Sequence, residues 1–78
     1  MIIDIRSREK YLIGHLDGAI HIPFMELYSN PSKYLNKNKT YQIYCDSGSS
    51  SGMLVSYLKS LGYSCVNLDG GYSKHLFK

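Results

Sequence analysis

Cys45 is followed by Asp46, Ser47, Gly48, Ser49, Ser50 and Ser51, a run of small or polar residues that ends where apolar residues begin to recur at helical spacing. A cysteine between the end of a strand and the start of a helix meets inward-turned backbone N–H groups and the positive end of the helix, and both favour negative charge. That field lowers a thiol pKa and makes the sulfur nucleophilic near neutral pH; it would equally hold a persulfide anion or an oxyanion. Gly48 lets the loop curl, and the serines leave its backbone accessible. A lone cysteine after a strand can also be a small apolar residue closing a core, but the strand, cysteine, small-polar run and helix together point to a functional site. Asp46 would raise the thiol pKa if its carboxylate entered the site, and it is expected to face solvent instead.

The other candidates for chemistry are weaker. Cys65 falls mid-strand beside Val66 and reads as a buried packing residue. The two cysteines form no CxxC and have no paired histidine spacing, so neither a zinc site nor a disulfide framework is expected. His15 sits on a turn and is expected to be a hydrogen-bonded structural residue rather than a partner for Cys45. No role is assigned to His21 or His75, and no metal or cofactor is implied.

Positioning Cys45 requires strands and helices in alternation. Ile2 to Ile5 is a β-branched run, after which Ser7 caps a short helix through Leu12 that Gly14 stops. Ala19 to Ile22 is a second strand, closed by Pro23 at the start of a helix carrying Phe24, Met25 and Leu27. Pro31 and the stretch from Asn36 to Lys39 flank a helical turn with Tyr34 and Leu35. Tyr41 to Tyr44 is a third strand, and Met53, Leu54, Tyr57, Leu58 and Leu61 mark the strongest helix, ended by Gly62. Ser64 to Leu68 is a fourth strand, then Asp69, Gly70 and Gly71 turn into a last helix through Leu76. Such alternation predicts an α/β fold, a small parallel β-sheet flanked by helices, with ligands at the carboxyl ends of the strands.

Length and composition agree. Seventy-eight residues suit one small domain over 1–78, and 44% apolar with 19% charged residues supports a core and excludes a disordered chain. The formal charge is +3, and its basic residues are scattered rather than clustered, so nucleic acid is not an expected partner. No run approaches a membrane span and no basic leader precedes an apolar stretch, which makes the cytoplasm the expected location.

The segments IDIRSREKYLIGHLDGAIHIP and YCDSGSSSGMLVSYLKSLGYSCVNLDGGYSKHL resemble a rhodanese domain, the sulfurtransferase fold, over nearly the whole chain. The resemblance rests on the aspartate and arginine after the first strand, the GHLDGA segment, the cysteine loop and the LDGGY turn in register. It implies that Cys45 accepts a sulfane sulfur as a persulfide and that the backbone amides of Asp46 through Ser50 cradle it. It also implies that Asp4, Arg6, His15 and Gly18 are structural. Three positions depart from the family. Members active on thiosulfate commonly carry an arginine five residues after the cysteine, where this chain has Ser50; a hydroxyl in place of a guanidinium should cost a few kcal/mol in binding that dianion. The related phosphatase loop needs arginine where Ser51 stands. Asp17 replaces a common proline at a turn that tolerates it. Members also usually begin with a further strand and helix, so the resemblance implies a minimal form or a truncated reading frame. A missing flank would expose a sheet edge and invite self-association or a protein partner.

Two functions follow. The first is a cofactor-free sulfurtransferase that takes sulfur from a small donor or a persulfide-bearing protein, with Ser47, Ser49, Ser50 and Ser51 lining a neutral loop. The alternative is a rhodanese-like binding, regulatory or redox-sensing module in which Cys45 is inert to transfer. Thiol reactivity separates them.

Overall fold

The computed structural model describes residues 1–75. Four strands, β1 (Ile2–Asp4), β2 (Ala19–His21), β3 (Thr40–Tyr44) and β4 (Ser64–Asn67), form one parallel sheet in the order β2-β1-β3-β4. The helices are α1 (Arg8–Ile13) between β1 and β2, α2 (Phe24–Ser29) and α3 (Pro31–Tyr34) between β2 and β3, α4 (Ser49–Ser60) between β3 and β4, and α5 (Gly71–His75) after the sheet. The expected α/β class and parallel sheet are observed. The expected continuation of the last helix to Leu76 lies outside the described residues.

Local signals explain most boundaries. Ser7 Oγ accepts the Lys10 N–H at the start of α1, and the Gly14 N–H closes that helix on the Lys10 carbonyl. Pro23 stands at the cap of α2 with φ −57°, one position before its first turn. Gly62 takes φ +99° directly after α4, the left-handed conformation that ends a helix at low cost in a residue without Cβ. Strands β1, β2 and β4 are shorter than the apolar runs suggest, whereas β3 begins one residue earlier, at Thr40: Ile5, Ile22 and Leu68 lie just beyond the strands, although their amides still donate to Tyr44, Asp4 and Ile43 carbonyls.

Register sorts the side chains onto two faces. Ile3 aligns with Ile20 and Ile43, Ile43 with Asn67, and Tyr41 with Cys65, so these residues share one face. That face carries the core, in which Ile3 and Ile43 meet Leu27 of α2 and Leu54 and Leu58 of α4, all buried. Each such side chain contributes about 1.5–3 kcal/mol by leaving water. The opposite face bears Asp4 and Tyr44, buried, and Gln42 and Val66, exposed.

Helix α4 differs from the sequence expectation at its start and on its buried stripe. The apolar pattern places Met53, Tyr57 and Leu61 inward, yet all three are exposed, and the buried positions are Ser51, Leu54, Val55 and Leu58. The helix begins at Ser49, so Ser49, Ser50 and Ser51 form its first turn and the loop proper is Cys45–Gly48. The first buried position is a serine, whose hydroxyl lies 3.3 Å from the Cys45 sulfur.

The strand order reverses between β1 and β3, since the chain leaves β1 towards β2 on one side and builds β4 on the other. In an open parallel sheet the crevice at such a reversal, at the carboxyl ends of the strands, is where ligands bind. Cys45 follows β3 at that point.

Candidate active site

The sulfur is met from within its own loop. The N–H groups of Gly48 and Ser51 donate to Cys45 Sγ at 3.2 and 3.3 Å, and Ser51 Oγ lies 3.3 Å from it. Gly48 makes this possible with φ +99°, which reverses the chain and caps α4 without a side chain. Burial pushes the Cys45 thiol up, but its contact with the Ser51 hydroxyl and the hydrogen bonds of the Ser51, Gly48 and Ser47 backbone outweigh it and hold the thiol below its ordinary value. Cys65, also buried, has no such donors, and burial leaves its thiol above the ordinary value. Both are free thiols.

The loop's carbonyls are tied on the other side. Tyr72 and Ser73 of α5 donate their N–H groups to the Cys45 and Asp46 carbonyls at 2.8 and 3.0 Å. With its Cys45 and Asp46 carbonyls bound to α5, the loop can turn amides towards the sulfur while those two carbonyls keep partners. Gly71, φ +58°, brings α5 against those carbonyls so closely that a Cβ there would overlap them.

A second network holds the far wall. Ser51 Oγ, wholly buried, donates to Asn67 Oδ1 at 2.5 Å; Asn67 Nδ2 donates to the Gly48 carbonyl at 3.1 Å and to Asp69 Oδ1 at 3.2 Å. Sequence reasoning missed Asn67. The signal was available in the strand alternation, because an inward Cys65 requires Asn67 to share its face, and a polar residue there must bond something in the site.

The remaining candidates divide clearly. Ser47, Ser49 and Ser50 are exposed around the mouth of the loop, with Ser47 Oγ donating to Ser49 Oγ at 3.5 Å. The amides of Asp46, Ser49 and Ser50 make no hydrogen bond to Sγ. The Asp46 carboxylate pairs with Lys10 Nζ at 2.6 Å and lies 3.7 Å from Arg6 Nη1. No cationic side chain bonds the sulfur among the described residues, and no group of side chains there could hold a metal ion.

Arg6 and Asp4 form a buried frame beside the loop. The Arg6 guanidinium binds both Asp4 oxygens, donates to the Gly14 carbonyl and lies over the Tyr72 ring, with Cζ 4.0 Å from the centroid. Tyr44 donates to Asp4 Oδ2 at 2.6 Å. Gly18 turns with φ +81°, and a Cβ there would meet nothing within 4 Å. His15 Nδ1 bonds the Tyr11 carbonyl and its ring stacks on Tyr11 at 3.9 Å, which makes it the structural histidine expected. A groove of about 390 Å³ between His15, Leu16, Leu68 and Tyr72 opens on the opposite face of the sheet and does not include Cys45.

Fold and site together define a class: a parallel α/β domain whose strand-end cysteine is held by backbone N–H groups at the reversal of strand order. The chain belongs to the rhodanese-like domain family, whose model matches residues 1–76. It is 37% identical over 70 residues to the thiosulfate sulfurtransferase PspE of Escherichia coli, covering 88% of this chain and 67% of that protein. It is 34% identical over 74 residues to the adenylyltransferase and sulfurtransferase uba4 of Ogataea parapolymorpha, covering 94% of this chain and only 19% of that protein. The rhodanese-related protein of Thermoplasma volcanium superposes with a TM-score of 0.88 at 28% identity, over 99% of this chain and 76% of that one. The chain thus spans about two thirds of a short relative and less than a fifth of a longer one. Among the described residues no helix is long and apolar enough to cross a membrane.

Proposed function

We propose that the chain is a sulfurtransferase that carries sulfane sulfur as a persulfide on Cys45. The observation that carries this reading is the pair of N–H groups, from Gly48 and Ser51, directed at Sγ. In the first half-reaction the Cys45 thiolate attacks the outer sulfur of a donor persulfide; an S–S bond forms to Cys45, the donor's S–S bond breaks, and the donor leaves as a thiolate that takes up a proton. In the second, an acceptor nucleophile attacks the outer sulfur and Cys45 leaves as the thiolate. Two-electron bonds are exchanged without net oxidation, so no cofactor is needed. The Gly48 and Ser51 N–H groups stabilise the Cys45 thiolate, and the amides of the loop mouth, Asp46 to Ser50, meet the outer sulfur of the persulfide.

The donor is a persulfide on a small thiol or on a protein rather than thiosulfate. Ser50 supplies no charge at the loop mouth, and a dianion would rest on amides alone. Relatives named for thiosulfate make that choice the sharper test. Intact-protein mass spectrometry after exposure to a low-molecular-weight persulfide, and separately to thiosulfate, reads the gain of one sulfur atom. Wild type and Cys65→Ser should gain it, more readily from the persulfide, and Cys45→Ser should not. If neither donor loads folded wild type, the loop serves instead as a binding or redox-sensing element. Equal losses in the two cysteine variants would remove the division of roles.

A further inference from the structure

Ser51 has one hydroxyl proton and two claimants. Its buried oxygen lies 3.3 Å from Cys45 Sγ and 2.5 Å from Asn67 Oδ1. The Asn67 amide cannot surrender its place by turning over, because its nitrogen already donates to two acceptors, the Gly48 carbonyl and Asp69 Oδ1. A turned amide would set an oxygen against both of them. The end that faces Ser51 is therefore an acceptor only, and the short contact assigns it the proton.

We infer that Asn67 is a positioning residue that draws the Ser51 hydroxyl proton away from Cys45, so that the sulfur receives full stabilisation from Ser51 only when that proton turns from one partner to the other. In the thiol state Cys45 S–H donates to the Ser51 oxygen and Ser51 donates to Asn67, a chain in which every group is satisfied. Once the sulfur is a thiolate, the Ser51 proton is worth more on sulfur, as a bond to an ion. Giving it up leaves Asn67 Oδ1 facing an oxygen lone pair in a part-buried site, and that penalty is charged against the ionised form. The two backbone N–H groups are unaffected by this exchange. Asn67 thus trades some acidity of the thiol for a loop held shut, since the same side chain bonds the Gly48 carbonyl.

The surrounding charges are fixed by other partners. Asp46 is paired with Lys10 and Arg6, Asp69 accepts from Asn67 and offers its carbonyl to His75, and Arg6 is bound to Asp4 and stacked on Tyr72 of α5. The first turn of α4 carries no acidic residue. Simple loosening of the loop would raise the thiol pKa, because the Gly48 amide would leave the sulfur. Release of Asp69 towards the site would raise it too. Removing the competitor lowers it, so the sign of the change separates the roles.

This inference deepens the sulfurtransferase reading but is tested without any sulfur transfer. The rate of iodoacetamide alkylation of Cys45 is followed against pH in the whole chain, in a Cys65→Ala background, for wild type, Asn67→Ala, Ser51→Ala and the double variant. Asn67→Ala should bring the midpoint down by about one pH unit, a roughly tenfold gain in thiolate below it. In the Ser51→Ala background the same substitution should move the midpoint by less than about a third of that. Should Asn67→Ala not fold, Asn67→Leu, which keeps the bulk and removes both polar ends, is read in the same way. A midpoint that rises or stays put, or an equal fall with and without Ser51, overturns the assignment. Failure of sulfur loading with these alkylation results intact would count against the transfer reading alone.

Discussion

The carboxylate of Asp46, the residue directly after Cys45, rests on Lys10 Nζ at 2.6 Å, a contact between positions 36 apart in the chain. The pair answers the one electrostatic objection to a thiolate at Cys45. A carboxylate beside a sulfur would hold its proton on; here its charge is offset by Lys10 and, at 3.7 Å, by Arg6. Both members of the Lys10 pair are about half exposed, so water and salt screen what remains.

Asp46→Asn should therefore change the alkylation rate of Cys45 at pH 7 by less than about threefold, and the change should shrink further in molar salt. A rise of tenfold or more would show that the carboxylate acts on the sulfur despite its partners.

Gly71 sets how closely α5 approaches the loop. Its φ of +58° is unfavourable for any residue with a Cβ, and the Cβ itself would overlap the Cys45 and Asp46 carbonyls. Gly71→Ala should cost about 2 kcal/mol or more in urea unfolding, combining backbone strain with displacement of backbone. The thiol pKa should rise at the same time, because the amides that face the sulfur are aligned by the carbonyls that α5 holds. A destabilised variant with an unchanged alkylation profile would uncouple α5 from the site.

Asp4 links the fold to pH. Burial pushes its carboxyl up, but hydrogen bonds from the Arg6 side chain, Tyr44 and the Arg6 amide prevail and hold it below the ordinary 3.8. A carboxyl depressed on folding adds stability that is fully present above its unfolded pKa and is lost as pH falls through the lower, folded value. Asp4→Asn leaves the buried Arg6 guanidinium with only the half-exposed Asp46 carboxylate, at 3.7 Å, as counter-charge and should cost about 3 kcal/mol at pH 7. The gap between variant and wild type, measured by urea titration, should narrow as pH drops below 3.8. A gap constant from pH 7 to the acid transition would trace the loss to packing instead.

Much of this was legible in the residues, and the failures share a cause. Strands announced themselves by β-branched runs, Gly62 by its place after an apolar stripe, and Cys45 by the small residues behind it. The start of α4 was not legible, because serines serve equally in a loop and in a first helical turn, and the cap is Gly48 in a left-handed conformation with no side chain to advertise it. Ser51 was read as lining and does meet the sulfur; its complete burial was not legible, since its neighbours are a thiol and an amide rather than solvent. The inward face of Asn67 could be read from its spacing to Cys65, but its partners, and the pairing of Lys10 with Asp46, depend on approach between segments far apart in sequence, which no local pattern encodes. Local backbone form was readable; partners across the sheet were not.

Ser50 offers the cleanest separation of donor choice from chemistry. It lies in the first turn of α4, exposed, one residue before the amide that donates to Sγ. An arginine at that position needs no space in the core and adds a planar cation with paired donors at the mouth of the loop. A charge-assisted pair to a sulfonate-like group contributes about 1.5–3 kcal/mol, so Ser50→Arg should raise thiosulfate-dependent loading of Cys45 roughly tenfold to a hundredfold. Loading from a neutral-bodied small persulfide should change far less, because its reacting sulfur already meets the backbone N–H groups. The same variant with Cys45→Ser controls for binding without transfer. A folded Ser50→Arg protein whose thiosulfate loading equals that of wild type would show that donor choice is set elsewhere than at this position.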